Sequence, residues 1–491
     1  MENKSRMKIT KVNTVESTLS NKNHPYMQGA WETFYDEFNV TNLDVIGGIP
    51  KDLEGVYIRN TENQVHEPLG RFHPFDGDGM LHSIIFQNGS ADYRNRFIQT
   101  EGFKVEQKFQ KSKWAGLMER PGTSELPGWG AQGCLKDTSS TDVVVHNGKV
   151  LTTFYQCGNG YSMDPLTLDP TGKVDWAPID GISAHTKVDL KTGELLFFNY
   201  SKQAPYMHYG VVDQEDNLKH YTPIPLPGPR LPHDMAFTEN YSILNDLPLF
   251  WDSEMLKRGI HATKLHDLPS RFAVIPRYGT EKDIKWFEAN PTYCLHWNNT
   301  YESGNEIIME GYFQENPEPG NYEGAPPGLE RMMAFLDNHL LKPRLHRWRF
   351  NLETGETIEE SLDDKILEFG AINQRYACEK HRFTYSMMPT KGWFTFDGLT
   401  KHDHVSGKCE TYEFGKGIFG SEVCFAPRIN SQDEDDGYLV SIITNVNNKT
   451  SSCVLFDAKD IVSGPICSIP LPQQICSGTH ATWAQMNEIM S

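Results

Sequence analysis

Long apolar runs are missing from this sequence. Nothing in it approaches the ~20 consecutive apolar residues that cross a bilayer as a helix, so no membrane-spanning helix is expected. The opening residues, MENKSRMKITKVNTVESTLSNKNHPY, lack the apolar core of a secretory signal, which makes the cytoplasm the expected compartment. Positive charge is scarce as well. Lys and Arg number 46 against 65 Asp and Glu, a net charge of −19, and such a chain lacks the clustered cations that grip a phosphate backbone. Nucleic acid is excluded as a partner on that ground. The nine cysteines include no CxxC pair, and an odd, unpatterned set reads as free buried thiols in a reducing compartment. No flavin, haem or nicotinamide motif is present, and FDGDG (75–79) lacks the lysine and following helix of a phosphate loop.

What the sequence has in quantity is β-hairpins. SIIFQNGSADYRNRFIQT, DVVVHNGKVLTTFYQ, TKVDLKTGELLFFNY, LHRWRFNLETGETIEE and DHVSGKCETYEF each place a Gly-bearing turn between two β-rich runs. Hairpins spread over the whole chain, without alternating helices, predict an all-β barrel, sandwich or propeller. Length favours the propeller, because 491 residues with no dividing linker exceed one barrel or sandwich, while a propeller stays one domain at this size, each four-stranded blade packing only on its neighbours. Residues 1–25 are expected to be a flexible arm and 26–491 a single propeller domain. Two segments read as helical insertions, PPGLERMMAFLDNHLLK (326–342) and FKVEQKFQKSKWAGLMER (103–120).

Four histidines stand beside small or apolar residues: His185, His233, His296 and His480. Their separations are roughly 50, 60 and 180 residues, or one, one and about three blades of a seven-bladed propeller. One inward-pointing imidazole per blade would converge on an axial metal, and imidazole suits Fe, Zn, Cu and Ni. Four unrelated buried histidines would give the same spacing. HDH at 402–404 could also chelate a metal, but its neighbour is a polar turn and the reading is a solvated loop. SQDEDDG (431–437) reads as a hydrated turn, since its spacing is not that of a calcium loop.

Several blocks, in order along nearly the whole chain, resemble the carotenoid cleavage oxygenases, the family that includes apocarotenoid-forming enzymes, retinoid isomerases and lignostilbene dioxygenases. They are DLEGVYIRNTENQ, FDGDGMLH, SAHTKVD, HDMAFTENY, LHWNN, SEVCFAPR and GTHATW. The resemblance implies a seven-bladed β-propeller with a dome of loops and short helices, and Fe(II) on its axis held by His185, His233, His296 and His480. It implies a reaction in which O2 splits a C=C bond of an apolar alkene into two carbonyls. It further implies three glutamates behind the ligands. Glu368 and Glu422 match two, and Gln156, in YQCG, stands where the family carries the third. Thr141 matches a threonine close to the metal. Stilbene-cleaving relatives hold a phenol with a tyrosine and a lysine; Phe103 and Lys136 fall at those positions, and a Phe there favours a carotenoid or apocarotenoid over a stilbenoid. Segment 103–120 resembles a peripheral membrane patch at the tunnel mouth, and reads equally as a core helix with a solvated face.

Overall fold

The computed structural model describes residues 6–20, 22–128, 135–260 and 262–489. Cys134 therefore lies outside the described residues. The predicted hairpins form, and their turns show why. Asn88 and Gly89 (φ 52° and 72°) and Asn147 and Gly148 (φ 49° and 66°) are pairs of left-handed residues, the conformation a two-residue turn between right-twisted strands requires. They join Asp78–Gln87 to Ser90–Phe97 and Asp142–His146 to Lys149–Thr153.

The chain divides into two compact units, Met1–Phe154 with Gly158–Asp175 and Tyr412–Ser491, and Tyr155–Cys157 with Trp176–Thr411. In the first unit one antiparallel sheet runs in the order Lys8–Thr14, Asp36–Thr41, Ser90–Phe97, Asp78–Gln87, Gly55–Asn63, Ala481–Gln485. The stretch read as a flexible arm thus contributes an edge strand, Lys8–Thr14, exposed along its length but paired with Asp36–Thr41. A second sheet holds Asp142–His146, Lys149–Thr153, Tyr161–Met163 and Pro170–Lys173, and a third is built on Gly437–Asn445, Thr450–Asp457 and Pro465–Pro470, with Cys424–Pro427 beside the first of these.

The second unit holds four antiparallel meanders among its described residues, besides a two-stranded ribbon. They start at Lys187–Asp189, Ala236–Phe237, Trp297–Ser303 and Glu368–Ala371. Burial falls across each meander: Glu194–Tyr200 is buried from its second residue onward, whereas the outer strand Thr357–Ser361 is mostly exposed. The aromatic core Phe272, Trp297, Trp348 and Phe350 fills the space between two neighbouring meanders of the second unit.

Both helical expectations change in extent. Segment 103–120 is helical only over Glu101–Phe109. Gln110 takes a left-handed conformation and caps the helix, and the Glu106 carboxylate accepts the backbone N–H of Lys113 at 2.7 Å, folding the chain back and burying Trp114. Segment 326–342 yields two short helices, Glu330–Leu336 and Asn338–Leu341, broken at Asp337, whose carboxylate caps the second. HDH is no solvated loop: His402 lies in strand Phe396–Asp403 and is 2 % exposed, and the His404 side chain is buried too.

Candidate metal centre

The seven sheets share a feature that spacing alone could not reveal. Each begins its inner strand on a residue singled out from the sequence, or within three residues of one. Thr141 precedes Asp142–His146, His185 precedes Lys187–Asp189, His233 precedes Ala236–Phe237 and His296 precedes Trp297–Ser303. Glu368 opens Glu368–Ala371, Glu422 precedes Cys424–Pro427 and His480 precedes Ala481–Gln485. Within the second unit Ala236–Phe237, Trp297–Ser303 and Glu368–Ala371 run as neighbours; within the first, Cys424–Pro427, Ala481–Gln485 and Asp142–His146 do. A residue repeated at the same end of neighbouring strands is brought together by the architecture.

In the second unit this gathers three imidazoles. The ring centroids of His185 and His233 are 4.7 Å apart, those of His185 and His296 5.1 Å, and those of His233 and His296 5.4 Å. His185 and His296 are buried and His233 is half-buried. His185 adopts φ 64°, a left-handed conformation uncommon for a residue with a side chain, and such outliers concentrate at functional sites. Behind His296 stands the fully buried Glu368, with Oε2 2.5 Å from Nδ1; the same oxygen accepts the N–H of Phe369 at 2.9 Å. The carboxylate fixes the proton on Nδ1 and leaves the Nε2 lone pair for a cation.

The first unit repeats the device. His480 is buried, and its Nδ1 lies 3.2 Å from Oε2 of Glu422, which also accepts the N–H of Ala481 at 2.6 Å. Beside it, the Thr479 hydroxyl donates to the carbonyl of Thr141 at 2.5 Å, tying the strand that carries His480 to Thr141. Gln156, in the second unit, is buried, and its Oε1, the atom expected to accept an imidazole N–H, has no hydrogen-bond partner.

Sequence reading missed Asp234, whose neighbour His233 was the only signal. It is 2 % exposed and accepts the Lys187 ammonium at 2.7 Å and the Trp297 N–H at 2.9 Å. One carboxylate therefore ties together three chain segments, each within two residues of an imidazole of the cluster. Burial raises its pKa above the ordinary carboxylate value, and Lys187 opposes the rise.

Phe103 and Lys136 lie in the first unit. Phe103 is buried and stacks on Phe97 at 5.4 Å, packed with Val15, Val65 and Met80. Lys136 is 6 % exposed, with its ammonium 3.0 Å from Asp78 and 2.8 Å from Glu106. Burial would lower its pKa, but the two carboxylates outweigh that and hold it above the usual ammonium value.

A donor set of neutral imidazoles oriented by carboxylates is what a d-block cation requires, and comparison with known proteins identifies the family. The family model for retinal pigment epithelial membrane protein matches residues 31–485. The chain belongs to that family. The carotenoid 9,10(9',10')-cleavage dioxygenase 1 of Pisum sativum is 32% identical, over 95% of this chain and 91% of the relative. The isoeugenol monooxygenase of Pseudomonas putida is 29% identical, over 95% of this chain and 99% of the relative. The crystal structure of Pseudomonas brassicacearum lignostilbene dioxygenase superposes with a TM-score of 0.83 at 25% identity, covering 95% of this chain and all of that one (100%). This carotenoid cleavage oxygenase homologue is an oxygenase, and its fold is all-β and of the propeller class, as the sequence indicated. Its histidines can hold a metal ion, and no helix among the described residues is long and apolar enough to cross a membrane.

Proposed function

We propose that this protein is a non-haem Fe(II) dioxygenase that cleaves a C=C bond of a carotenoid or apocarotenoid into two carbonyl products. His185, His233, His296 and His480 would be the ligands. The observation that carries this reading is the triangle of imidazoles in the second unit with Glu368 behind it. His480 joins by analogy, since Glu422 holds its Nδ1 as Glu368 holds that of His296. Iron(II) in such a site supplies O2 binding and one-electron chemistry. The chain's own residues do the rest. Neutral imidazoles leave the cation its charge, Glu368 and Glu422 keep the ring tautomers fixed, and Gln156 in place of a glutamate lowers the negative charge behind the ligands. Tyr155 and Phe369, whose rings pack against His233 and His296, keep water from the ligand rings. Thr141 would limit access to one side of the metal. No side chain is required as a general acid or base.

The activity of the pea relative, a carotenoid 9,10(9',10')-cleavage dioxygenase, supports the carotenoid or apocarotenoid substrate. So does the state of Lys136 and Phe103. The ammonium is committed to two buried carboxylates and the phenyl ring to an apolar cluster, so neither is presented as a partner for a phenol. The second reading, cleavage of a stilbenoid or phenylpropanoid alkene, draws on the two bacterial relatives, an isoeugenol monooxygenase and a lignostilbene dioxygenase. Iron-loaded enzyme assayed side by side on apocarotenals, hydroxystilbenes and isoeugenol, with products identified by mass, decides between them. Faster cleavage of a 4-hydroxystilbene would overturn the substrate choice.

Cys294, Cys378, Cys409, Cys424, Cys453, Cys467 and Cys476 are free thiols, which supports a cytoplasmic location. A peripheral membrane contact, if made through 103–120, is narrower than the sequence suggested. Trp114 is buried, and the exposed set is Phe109 with Lys104, Lys108, Lys111 and Arg120.

A further inference from the structure

The HDH segment, discarded as a loop, leads to a second cluster of metal-ligating groups in the second unit. His402 is buried in strand Phe396–Asp403, and the turn that follows, closed by Asp403 N–H to Lys408 O at 2.9 Å, leads directly to Cys409. Asp363 reaches the same place from beyond strand Thr357–Ser361. Its Oδ2 stands 3.4 Å from His402 Nδ1, and one donor atom of each of Asp363, His402 and Cys409 lies within 4.8 Å of the others.

We propose that Asp363, His402 and Cys409 form a second cation site, separate from the histidine centre, that takes a thiophilic divalent ion such as Zn(II). A tetrahedral ion with bonds of about 2.0–2.1 Å to nitrogen and oxygen sets those ligand atoms roughly 3.3 Å apart, close to the His402–Asp363 separation. Asp363 is prepared for the role. Its Oδ1 accepts the N–H of Lys365 at 2.9 Å, which fixes the carboxylate and turns Oδ2 toward His402. Thiolate and carboxylate together balance the 2+ charge, and binding releases one proton, that of the Cys409 thiol, to solvent. Cys409 is half-exposed, so the ion has a way in and a water can complete the coordination. The bound ion would clip residues 361–365 to the hairpin that ends at Cys409.

The neighbouring group Glu310, His381 and His404 is equally compact, but its chemistry is different. The Asn299 amide N–H2 has three acceptors within reach, the carbonyls of Glu379 at 2.9 Å and Tyr376 at 3.2 Å and His381 Nδ1 at 3.0 Å. An amide N–H2 against Nδ1 requires the imidazole proton to sit on Nε2, which is therefore a donor toward Thr384 at 3.1 Å and Glu310 at 3.2 Å. Arg347 already neutralises Glu310, at 2.7 Å. That cluster is a closed network of hydrogen bonds and ion pairs, whereas His402 meets Asp363 at a longer 3.4 Å, and Asp363 faces the half-exposed Lys365 ammonium only at 3.5 Å.

Cobalt(II) added anaerobically to the full-length protein is the test. A thiolate ligand gives a thiolate-to-cobalt charge-transfer band that an all-histidine centre cannot give, so the outcome is independent of the function proposed for that centre. The expected result is one such band per chain, abolished in Cys409→Ser and requiring at least tenfold more cobalt in His402→Gln or Asp363→Asn. Zn(II) should also slow alkylation of Cys409 by N-ethylmaleimide at least tenfold in the unmutated protein. Cys378, the other half-exposed described thiol, should react at an unchanged rate. A folded protein without the band, a band that survives in Cys409→Ser, or equal protection of both cysteines overturns the proposal.

Discussion

Glu368 holds Nδ1 of His296 at 2.5 Å from a position with no solvent exposure. A charge buried at that cost is retained because it orients a ligand and raises its basicity. Glu368→Gln keeps the shape and removes the charge. Iron affinity, measured by competition with a chelator, should fall roughly 10–100-fold, with circular dichroism unchanged. Unaltered affinity would mean that Glu368 serves packing alone.

Gln156 gives the converse case. Its amide oxygen is buried without a partner, and the sequence resemblance implies a carboxylate at that position. Gln156→Glu should fold and bind iron at least as tightly as the native chain. Gln156→Leu should weaken iron binding by the same ~10–100-fold. Equal iron binding in the Leu variant would show that the residue does not support a ligand.

The difference between what was legible and what was not has a physical basis. Hairpin turns are local: Asn88-Gly89 and Asn147-Gly148 need φ > 0, and the sequence states it. The histidines were legible because family blocks surround them. Asp234 was not, because its role is to accept bonds from Lys187 and Trp297, and neither partner is marked in the sequence. HDH was misread because polar composition near a turn signals solvent. Here the strand buries His402 while Asp363 arrives from the segment after Thr357–Ser361 to pair with it. The 103–120 helix was overextended because nothing in its interleaved pattern says that Glu106 will capture the N–H of Lys113.

Asp76, in the FDGDG block, is buried, and burial pushes its pKa up to about 7 although the N–H groups of Leu117 and His73 oppose this. The unfolded value is near 3.8. The folded state therefore holds this proton more tightly, and the group's contribution to stability is full below pH ~4 and is lost as pH rises to ~7. Asp76→Asn removes the titration. The stability advantage of the native chain over Asp76→Asn, from denaturant melts, should shrink between pH 5 and 7.5 by about 1 kcal/mol or more. An advantage that grows with pH would refute the buried neutral carboxyl.

The basic helix offers a surface test. Lys104, Lys108 and Lys111 flank Phe109, which is 53% exposed. Sedimentation with anionic vesicles should pull the protein down at low salt, and Lys108→Glu/Phe109→Glu should release it. Trp114→Glu should instead unfold the region, since Trp114 is buried and the change sacrifices about 3 kcal/mol or more of packing. Binding unaffected by the double substitution removes the membrane role of this helix.

Asp234 bonds to segments beside His185 and His296 and lies next to His233, so its substitution should separate geometry from ligation. Asp234→Ala leaves the Lys187 ammonium and the Trp297 N–H without their acceptor, at a cost of about 2–5 kcal/mol if the pocket stays dry. Asp234→Asn keeps one oxygen acceptor but loses the charge that Lys187 needs. The three imidazoles would remain on the chain, yet the segments that carry them would no longer be fixed to one another. Iron should still bind in both variants, more weakly in Ala than in Asn, and turnover should fall further than iron occupancy does. Comparing kcat per bound iron, rather than per chain, distinguishes the two effects. If kcat per iron is unchanged in Asp234→Ala, the carboxylate stabilises the fold and has no part in positioning His185, His233 and His296.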